Sequence, residues 1–268
     1  MKTASFGDHP VAVVTGGARG IGLAICEWFL KNHYKVVILD NNQVNLDETV
    51  RRIGKPDVLI GIHCDISNYQ AVETAAKKII STFGHVDALV NNAGVAIFKP
   101  VLETSFEDFR TVLSTNLDGC FICSQIFGKL IVENGGGAIV NIASISGLRA
   151  STLRVAYGTS KAGIIHLTKQ YAVELGNYNV RVNAIAPGPV DTEMAKLVHS
   201  VAIRADYHDT IPLERYGTPE EMANAVGFLC SAEASFVNGQ ILSVDGGFEA
   251  AGVGLPTLRR NIKNATPN

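Results

Sequence analysis

The sequence predicts an α/β fold built on a doubly wound parallel sheet. Three observations carry this: seven short apolar runs, helix-length segments between them, and a glycine-rich turn directly after the first run. The runs are VAVVT (11–15), KVVIL (35–39), VLIGIH (58–63), VDALV (86–90), AIVNI (138–142), VRVNAIA (180–186) and QILSV (240–244). They are near-continuously apolar rather than alternating, the pattern of strands buried on both faces. Strands alternating with helices imply right-handed crossovers, and hence one seven-stranded parallel sheet flanked by helices.

The connecting segments follow in order. GLAICEWFLKNH and YQAVETAAKKIISTF have helical length, and the two longest helices are expected near 105–134 and 155–176. Gly135 to Gly137 end the first of these before the fifth run. The stretch 190–215 has no strand pattern, and a connection of that length is expected to act as a lid. Residues 1–250 are read as a single domain and 251–268 as a C-terminal extension, whose first half can pack and whose Asn-rich end is expected to fray.

Bulk properties exclude several function classes. With 268 residues, 47% hydrophobic and 18% charged, the chain can bury a substantial core. A net charge of −2 offers no electrostatic footprint for nucleic acid or an anionic membrane surface. No apolar run approaches the roughly 20 residues that span a bilayer, and MKTASFGDHP has no signal-peptide pattern, so a cytoplasmic location is expected. Five scattered cysteines fit reduced thiols, and Cys120 and Cys123, inside an apolar helical stretch, are read as packing residues. The seven histidines do not cluster and no Cys/His spacing suggests zinc, so no metal is expected. G-x-S-x-G is absent, which argues against a hydrolase elbow.

The first run leads straight into TGGARGIG (15–22) and then a helix. Glycines there let the backbone approach a pyrophosphate whose charge meets the helix N-terminus. A P-loop is excluded, because Leu23 and Ala24 stand where Lys and Ser/Thr would hold a triphosphate. Asp40 ends the second run, where a carboxylate can take the ribose 2′-OH and repel a 2′-phosphate. Arg19 in the turn argues the other way. The balance favours NAD over NADP, since a like-charge clash costs more than a solvated arginine contributes.

In VAYGTSK (155–161), Tyr157 and Lys161 stand four apart and share a helix face. An ammonium beside a phenol favours the phenolate, a direct route to acid/base work near neutral pH. With 7 Tyr and 12 Lys in 268 residues, about 0.3 such pairs are expected by chance, so the spacing alone is a weak signal.

The ordered set is far more specific. TGGARGIG, NNAG (91–94), Asn116 in STNLDG, Ser144 in NIASISG, Tyr157-x3-Lys161, and Pro187-Gly188 followed by Thr192 together resemble the compact branch of the short-chain dehydrogenase/reductases, over roughly residues 10–247. The resemblance implies a Rossmann-type fold and hydride transfer between a nicotinamide and an alcohol or ketone. It implies Tyr157 as general acid/base and Lys161 as its pKa-lowering partner, also holding the nicotinamide ribose. Ser144 would hydrogen-bond the substrate oxygen, with Ser146 the alternative hydroxyl. Asn116 would kink its helix and hold a water in a proton relay.

The same resemblance assigns cofactor contacts. Gly16, Arg19, Gly20, Ile21 and Gly22 form the pyrophosphate turn beside Asp40. Asp65 and Ile66 would meet the adenine, and Asn92, Ala93 and Gly94 would line the ribose side. Pro187, Gly188, Val190 and Thr192 would orient the carboxamide. Asp65 could instead belong to a helix N-cap region, and Thr192 could cap the lid helix. Relatives are usually tetramers, and apolar residues on several faces of the two long helices point to pairing there, as a homotetramer or homodimer.

Pocket walls are expected from Ile145, Leu148 to Leu153, Pro189 and the lid, whose apolar and polar residues are mixed. Arg149 and Arg154 could receive an acidic group or be solvated loop residues. A small polyol, sugar or hydroxyketone is the favoured substrate and a 3-oxoacyl thioester the alternative. A non-catalytic dinucleotide sensor or scaffold is the competing class, which an intact Tyr157 and Lys161 disfavour.

Overall fold

The computed structural model describes residues 9–252 and 254–259; the Asn-rich end and the first eight residues lie outside the described residues. The seven strands are β1 (Val11–Thr15), β2 (Lys35–Asp40), β3 (Leu59–His63), β4 (Ala88–Asn91), β5 (Gly137–Ile142), β6 (Val180–Pro187) and β7 (Ile241–Val244). They form one sheet in the order β3-β2-β1-β4-β5-β6-β7, every pairing parallel. Each strand coincides with one of the seven apolar runs to within two residues at either end. The central strands are buried along their whole length, as continuous apolar runs require.

Helices cover both faces. On one side α1 (Gly20–Lys31) packs on α10 (Pro219–Cys230), around Ile25, Phe29, Ile38, Met222 and Val226. On the other, α3 (Tyr69–Phe83), α5 (Gly119–Glu133) and α7 (Val155–Leu175) bury Ile79, Phe127, Ile131 and Ile139. Each such side chain contributes about 1.5–3 kcal/mol relative to exposure. α2 (Gln43–Ile53) covers the β2–β3 end.

The long helix expected near 105–134 is two helices, α4 (Phe106–Leu113) and α5, joined by a five-residue π-helical segment, Ser114–Asp118. The lid holds two short helices, α8 (Glu193–Val198) and α9 (Val201–Thr210), and α6 (Ile145–Leu148) follows β5. Because the order reverses between β1 and β4, the strand ends β1, β4 and β5 open onto one crevice at the carboxyl edge of the sheet, where α/β sheets bind ligands. Among the described residues no helix is long and apolar enough to cross a membrane, and no cluster of side chains could hold a metal ion.

Candidate active site

The crevice begins where β1 turns into α1. Gly16 has φ 62°, and a Cβ there would stand 2.8 Å from the Ala93 Cα. At Gly22 a Cβ would lie 2.2 Å from the Gly16 carbonyl oxygen, so the first turn of α1 is pressed against the strand exit with no room for a side chain. Asn92 closes the joint. Its Nδ2 donates to the carbonyl oxygens of Thr15 (3.0 Å) and Gly16 (2.9 Å), while Thr15 Oγ1 accepts the N–H groups of Asn92 and Ala93, each at 3.0 Å. The sequence reading missed Thr15, whose hydroxyl locks the glycine turn to the segment after β4.

Asp40, at the end of β2, accepts the Ala18 N–H on Oδ2 (3.1 Å) and the Asn42 N–H on Oδ1 (3.0 Å). Its carboxylate is thus fixed against the glycine turn, while Arg19 stands exposed on that turn. Asp65 lies at the same sheet edge, two residues past His63, the partner of Asp40 in β3. Its Oδ1 accepts the N–H and O–H of Ser67, which builds the turn before the Asn68 cap of α3. The helix-entry reading of Asp65 therefore describes its contacts. Ile66 is buried beneath Gly119. These features fit an adenine dinucleotide: a backbone turn stripped of Cβ atoms, a helix N-terminus with no acid in its first turn, and a fixed carboxylate beside it.

α7 brings Tyr157 and Lys161 onto one face. The Lys161 ammonium lies 5.6 Å from the Tyr157 ring centroid and donates to the Ile142 carbonyl oxygen at 2.7 Å. Lys161 is only 4% exposed, and a backbone carbonyl rather than a carboxylate holds it. Burying an ammonium that way costs several kcal/mol, which marks a functional rather than a stabilising cation.

Gly147 sets the neighbouring geometry. A Cβ on it would stand 2.7 Å from the Lys161 carbonyl carbon, so α6 rests directly on the α7 backbone. This seats Ser144, the N-cap of α6, beside the pair. Ser144 Oγ accepts the Ser146 N–H at 3.1 Å, leaving its own proton to donate. Ser146 Oγ is paired with Ser151 Oγ at 3.0 Å.

Asn116 sits in the π-helical segment, so the expected helix kink is present. Its side chain, however, faces protein. Oδ1 accepts the Val95 N–H (2.8 Å), and Nδ2 donates to the Val95 carbonyl oxygen and to Ser160 Oγ, both at 3.0 Å. Asn116 thus ties the loop after β4 to α7 from behind the site. Ser160, which carries one end of that tie, escaped the sequence reading.

A cavity of about 240 Å³ joins these groups. Ser144, Ser146, Tyr157 and Lys161 line one wall with Asn92 and Gly94, and Ile21, Pro187, Gly188, Val190 and Thr192 line the cofactor side. Thr192 also caps α8, accepting the Ala195 N–H at 3.2 Å, so the two readings of this residue coexist. Of the pocket walls expected, Ile145 and Pro189 are present, but Leu148 to Leu153 are not; Leu148 and Leu153 are exposed outside the cavity. The lid contributes Val198, His199 and Tyr207, and Phe98 and Arg154 stand at the same end. Tyr207 falls within the lid expected to form a wall, whereas Phe98 escaped the sequence reading. Arg149 lies away from the cavity, donating to the carbonyl oxygens of Phe248 (2.7 Å) and Glu249 (3.1 Å).

Comparison with known proteins gives this arrangement a class. A family model described as enoyl-(acyl carrier protein) reductase matches residues 16–249. The 3-oxoacyl-[acyl-carrier-protein] reductase of Thermotoga maritima is 35% identical over 90% of this chain and 98% of its own length. D-threitol dehydrogenase of Mycolicibacterium smegmatis is 37% identical over 90% and 93%. Among solved structures, a 7α-hydroxysteroid dehydrogenase complexed with NADH superposes with a TM-score of 0.85 at 37% identity, covering 89% of this chain and 93% of that one. A gluconate 5-dehydrogenase from Burkholderia cenocepacia, in complex with NADP and tartrate, gives 0.86 at 31%, covering 90% and 96%. The chain belongs to the short-chain dehydrogenase/reductase family of oxidoreductases, which bind a nicotinamide dinucleotide.

Proposed function

We propose that the protein is an NAD(H)-dependent oxidoreductase that interconverts a secondary alcohol and a ketone, with a small polyol, sugar or hydroxyketone as substrate. The observation that carries this reading is the convergence of Ser144, Tyr157 and Lys161 on one cavity that also opens to the glycine-turn side. A bound nicotinamide supplies or accepts the hydride at the substrate carbon. In reduction, the Tyr157 hydroxyl donates its proton to the substrate oxygen; in oxidation, the phenolate takes the hydroxyl proton. Ser144, its oxygen already accepting the Ser146 N–H, donates its proton to that same substrate oxygen and stabilises developing negative charge. Lys161, anchored by the Ile142 carbonyl, supports the phenolate and presents its remaining donors to the cofactor ribose. Asn116 holds α7 in place for both, through Ser160.

The residues of the glycine turn, with Asp65, Ile66 and Asn92 to Gly94, hold the adenosine half, and Pro187, Gly188, Val190 and Thr192 the nicotinamide half. The fixed carboxylate of Asp40 supports NAD over NADP. The family relatives include acyl carrier protein reductases, polyol dehydrogenases and hydroxysteroid dehydrogenases, so a 3-oxoacyl thioester is the second substrate reading. Exposed Phe106 and Phe121 on the α4–α5 side and Val173 on α7 support pairing of these helices in an oligomer.

A screen of alcohols with NAD and NADP, and of ketones with NADH and NADPH, followed at 340 nm, tests the reading. Turnover of a polyol or hydroxyketone with NADH preferred is expected. Turnover of 3-oxoacyl thioesters alone moves the assignment to the second substrate, and a clear NADPH preference overturns the Asp40 argument.

A further inference from the structure

The charge inside the cavity narrows the substrate beyond its carbonyl group. Among the described residues no Asp or Glu lines the cavity, while two fixed cations do: Lys161 beside Tyr157, and Arg154 at the lid end. Lys161 is committed to the Ile142 carbonyl and the acid/base pair. Arg154 has no comparable duty. Its guanidinium lies over the Phe98 ring, 5.2 Å from the centroid, and Nη1 donates to the Tyr207 hydroxyl at 3.3 Å. Those contacts orient the group and leave most of its five N–H donors unused. Neither partner neutralises it.

Arg204 is already paired with Asp191 at 2.7 Å, so the nearby carboxylate is consumed. His199, whose Nδ1 lies 3.0 Å from the Tyr216 hydroxyl, titrates below its usual value because of burial and then because Arg154 and Arg204 repel an imidazolium.

We infer that the substrate carries a carboxylate a few bonds from the reacting carbonyl, and that Arg154 binds it bidentately while Ser144 and Tyr157 hold the carbonyl oxygen. Arg154, the residue before α7, stands three positions before Tyr157, and both side chains line the same cavity. An oxo acid or hydroxy acid can present one end to each, with Phe98 and Val198 flanking its carbon chain. The inference rests on the oxidoreductase reading and selects a substrate class within it.

The test compares pyruvate, acetoacetate, levulinate and 5-oxohexanoate with their methyl esters, with NADH, in the wild type, Arg154→Gln and Arg154→Lys. In the wild type at least one acid is expected to exceed its ester in kcat/KM by roughly 10- to 100-fold, the size of a charge-assisted bidentate contact. Arg154→Gln should erase that acid-over-ester ratio, chiefly through KM, and Arg154→Lys should restore part of it. Esters turned over as well as acids by the wild type overturn the inference whatever the variants do, as does an equal loss for acid and ester in Arg154→Gln. Calorimetric titration of levulinate into the wild type and Arg154→Gln reads the contact without turnover. Tight binding lost in Arg154→Gln, with no hydride transfer to any of these probes or in the alcohol and ketone screen, would uphold the carboxylate site while refuting the oxidoreductase reading.

Discussion

The two edges of the sheet handle buried polar groups in opposite ways. At the amino edge Asp87 is buried, and its carboxylate is used up by protein: Oδ2 accepts the Val11 N–H (2.7 Å) and faces His85 Nε2 (3.1 Å), and Oδ1 accepts Asn134 Nδ2 (2.9 Å). Burial raises its pKa, and the Val11, His85 and Asn134 contacts work against that rise. At the carboxyl edge Ser144 and Lys161 are each held by one backbone group, and with Tyr157 they line a cavity rather than being closed off by the chain. A buried polar group with every partner supplied by the chain pins the fold. One held in place with a valence left open is available for chemistry.

Substitutions should separate the two edges. The largest effect is expected for Tyr157→Phe, which removes the proton donor and keeps the ring: kcat should fall roughly 100- to 10,000-fold while NADH affinity, read by fluorescence titration, stays close to wild type. Gly22→Ala comes next. Its Cβ would meet the Gly16 carbonyl oxygen at 2.2 Å, so the turn must open, with about 1–3 kcal/mol of stability lost and NADH bound about tenfold more weakly in the same titration. Asp87→Ala strands the Val11 N–H and the Asn134 amide. It should cost about 2 kcal/mol, several degrees in Tm by calorimetry, with kcat unchanged.

The smallest effect belongs to the surface. Glu221, in the capping box of α10, is held down to about 2 by hydrogen bonds from Arg215 and then from the Thr218 N–H. A carboxyl whose pKa is depressed by folding stabilises above its unfolded value, near 4.5, and loses that contribution as pH falls toward 2. The pair is largely solvent-exposed, which limits the contribution to about 0.5 kcal/mol. The Tm difference between wild type and Glu221→Gln should be small and positive at pH 6 and vanish near pH 2.

How far each region was legible in the sequence follows from how local its causes are. All seven strands could be read because a parallel strand buried on both faces leaves a continuous apolar run, and such a run needs no partner to be recognised. The glycine turn was legible for the same reason: a strand, four glycines within seven residues and a helix stand next to one another in the chain. The break between α4 and α5 leaves no such local mark, and only the family resemblance, which places a kink at Asn116, anticipates it. It is stabilised by Asn116 reaching Val95 and Ser160, residues 21 and 44 positions away, and the apolar pattern runs through it undisturbed.

Of the two lid helices, α8 was anticipated through its Thr192 cap, whereas α9 was not, because its first turn is marked only by the Ser200 hydroxyl and it buries no residue. The Phe98, Arg154 and Tyr207 contact joins three distant segments, so nothing near Arg154 distinguished a pocket cation from a solvated one. Site chemistry was readable where it lay within one helix, as Tyr157 and Lys161 do, and unreadable where it depended on the lid.

The contrast between the closed and the open edge is tested most directly by measuring Tm and kcat together on Tyr157→Phe and Asp87→Ala. The account predicts a crossed result: Tyr157→Phe keeps its Tm and loses turnover, and Asp87→Ala loses several degrees and keeps turnover. Turnover preserved in Tyr157→Phe, or lost in Asp87→Ala at a temperature where it remains folded, would contradict it.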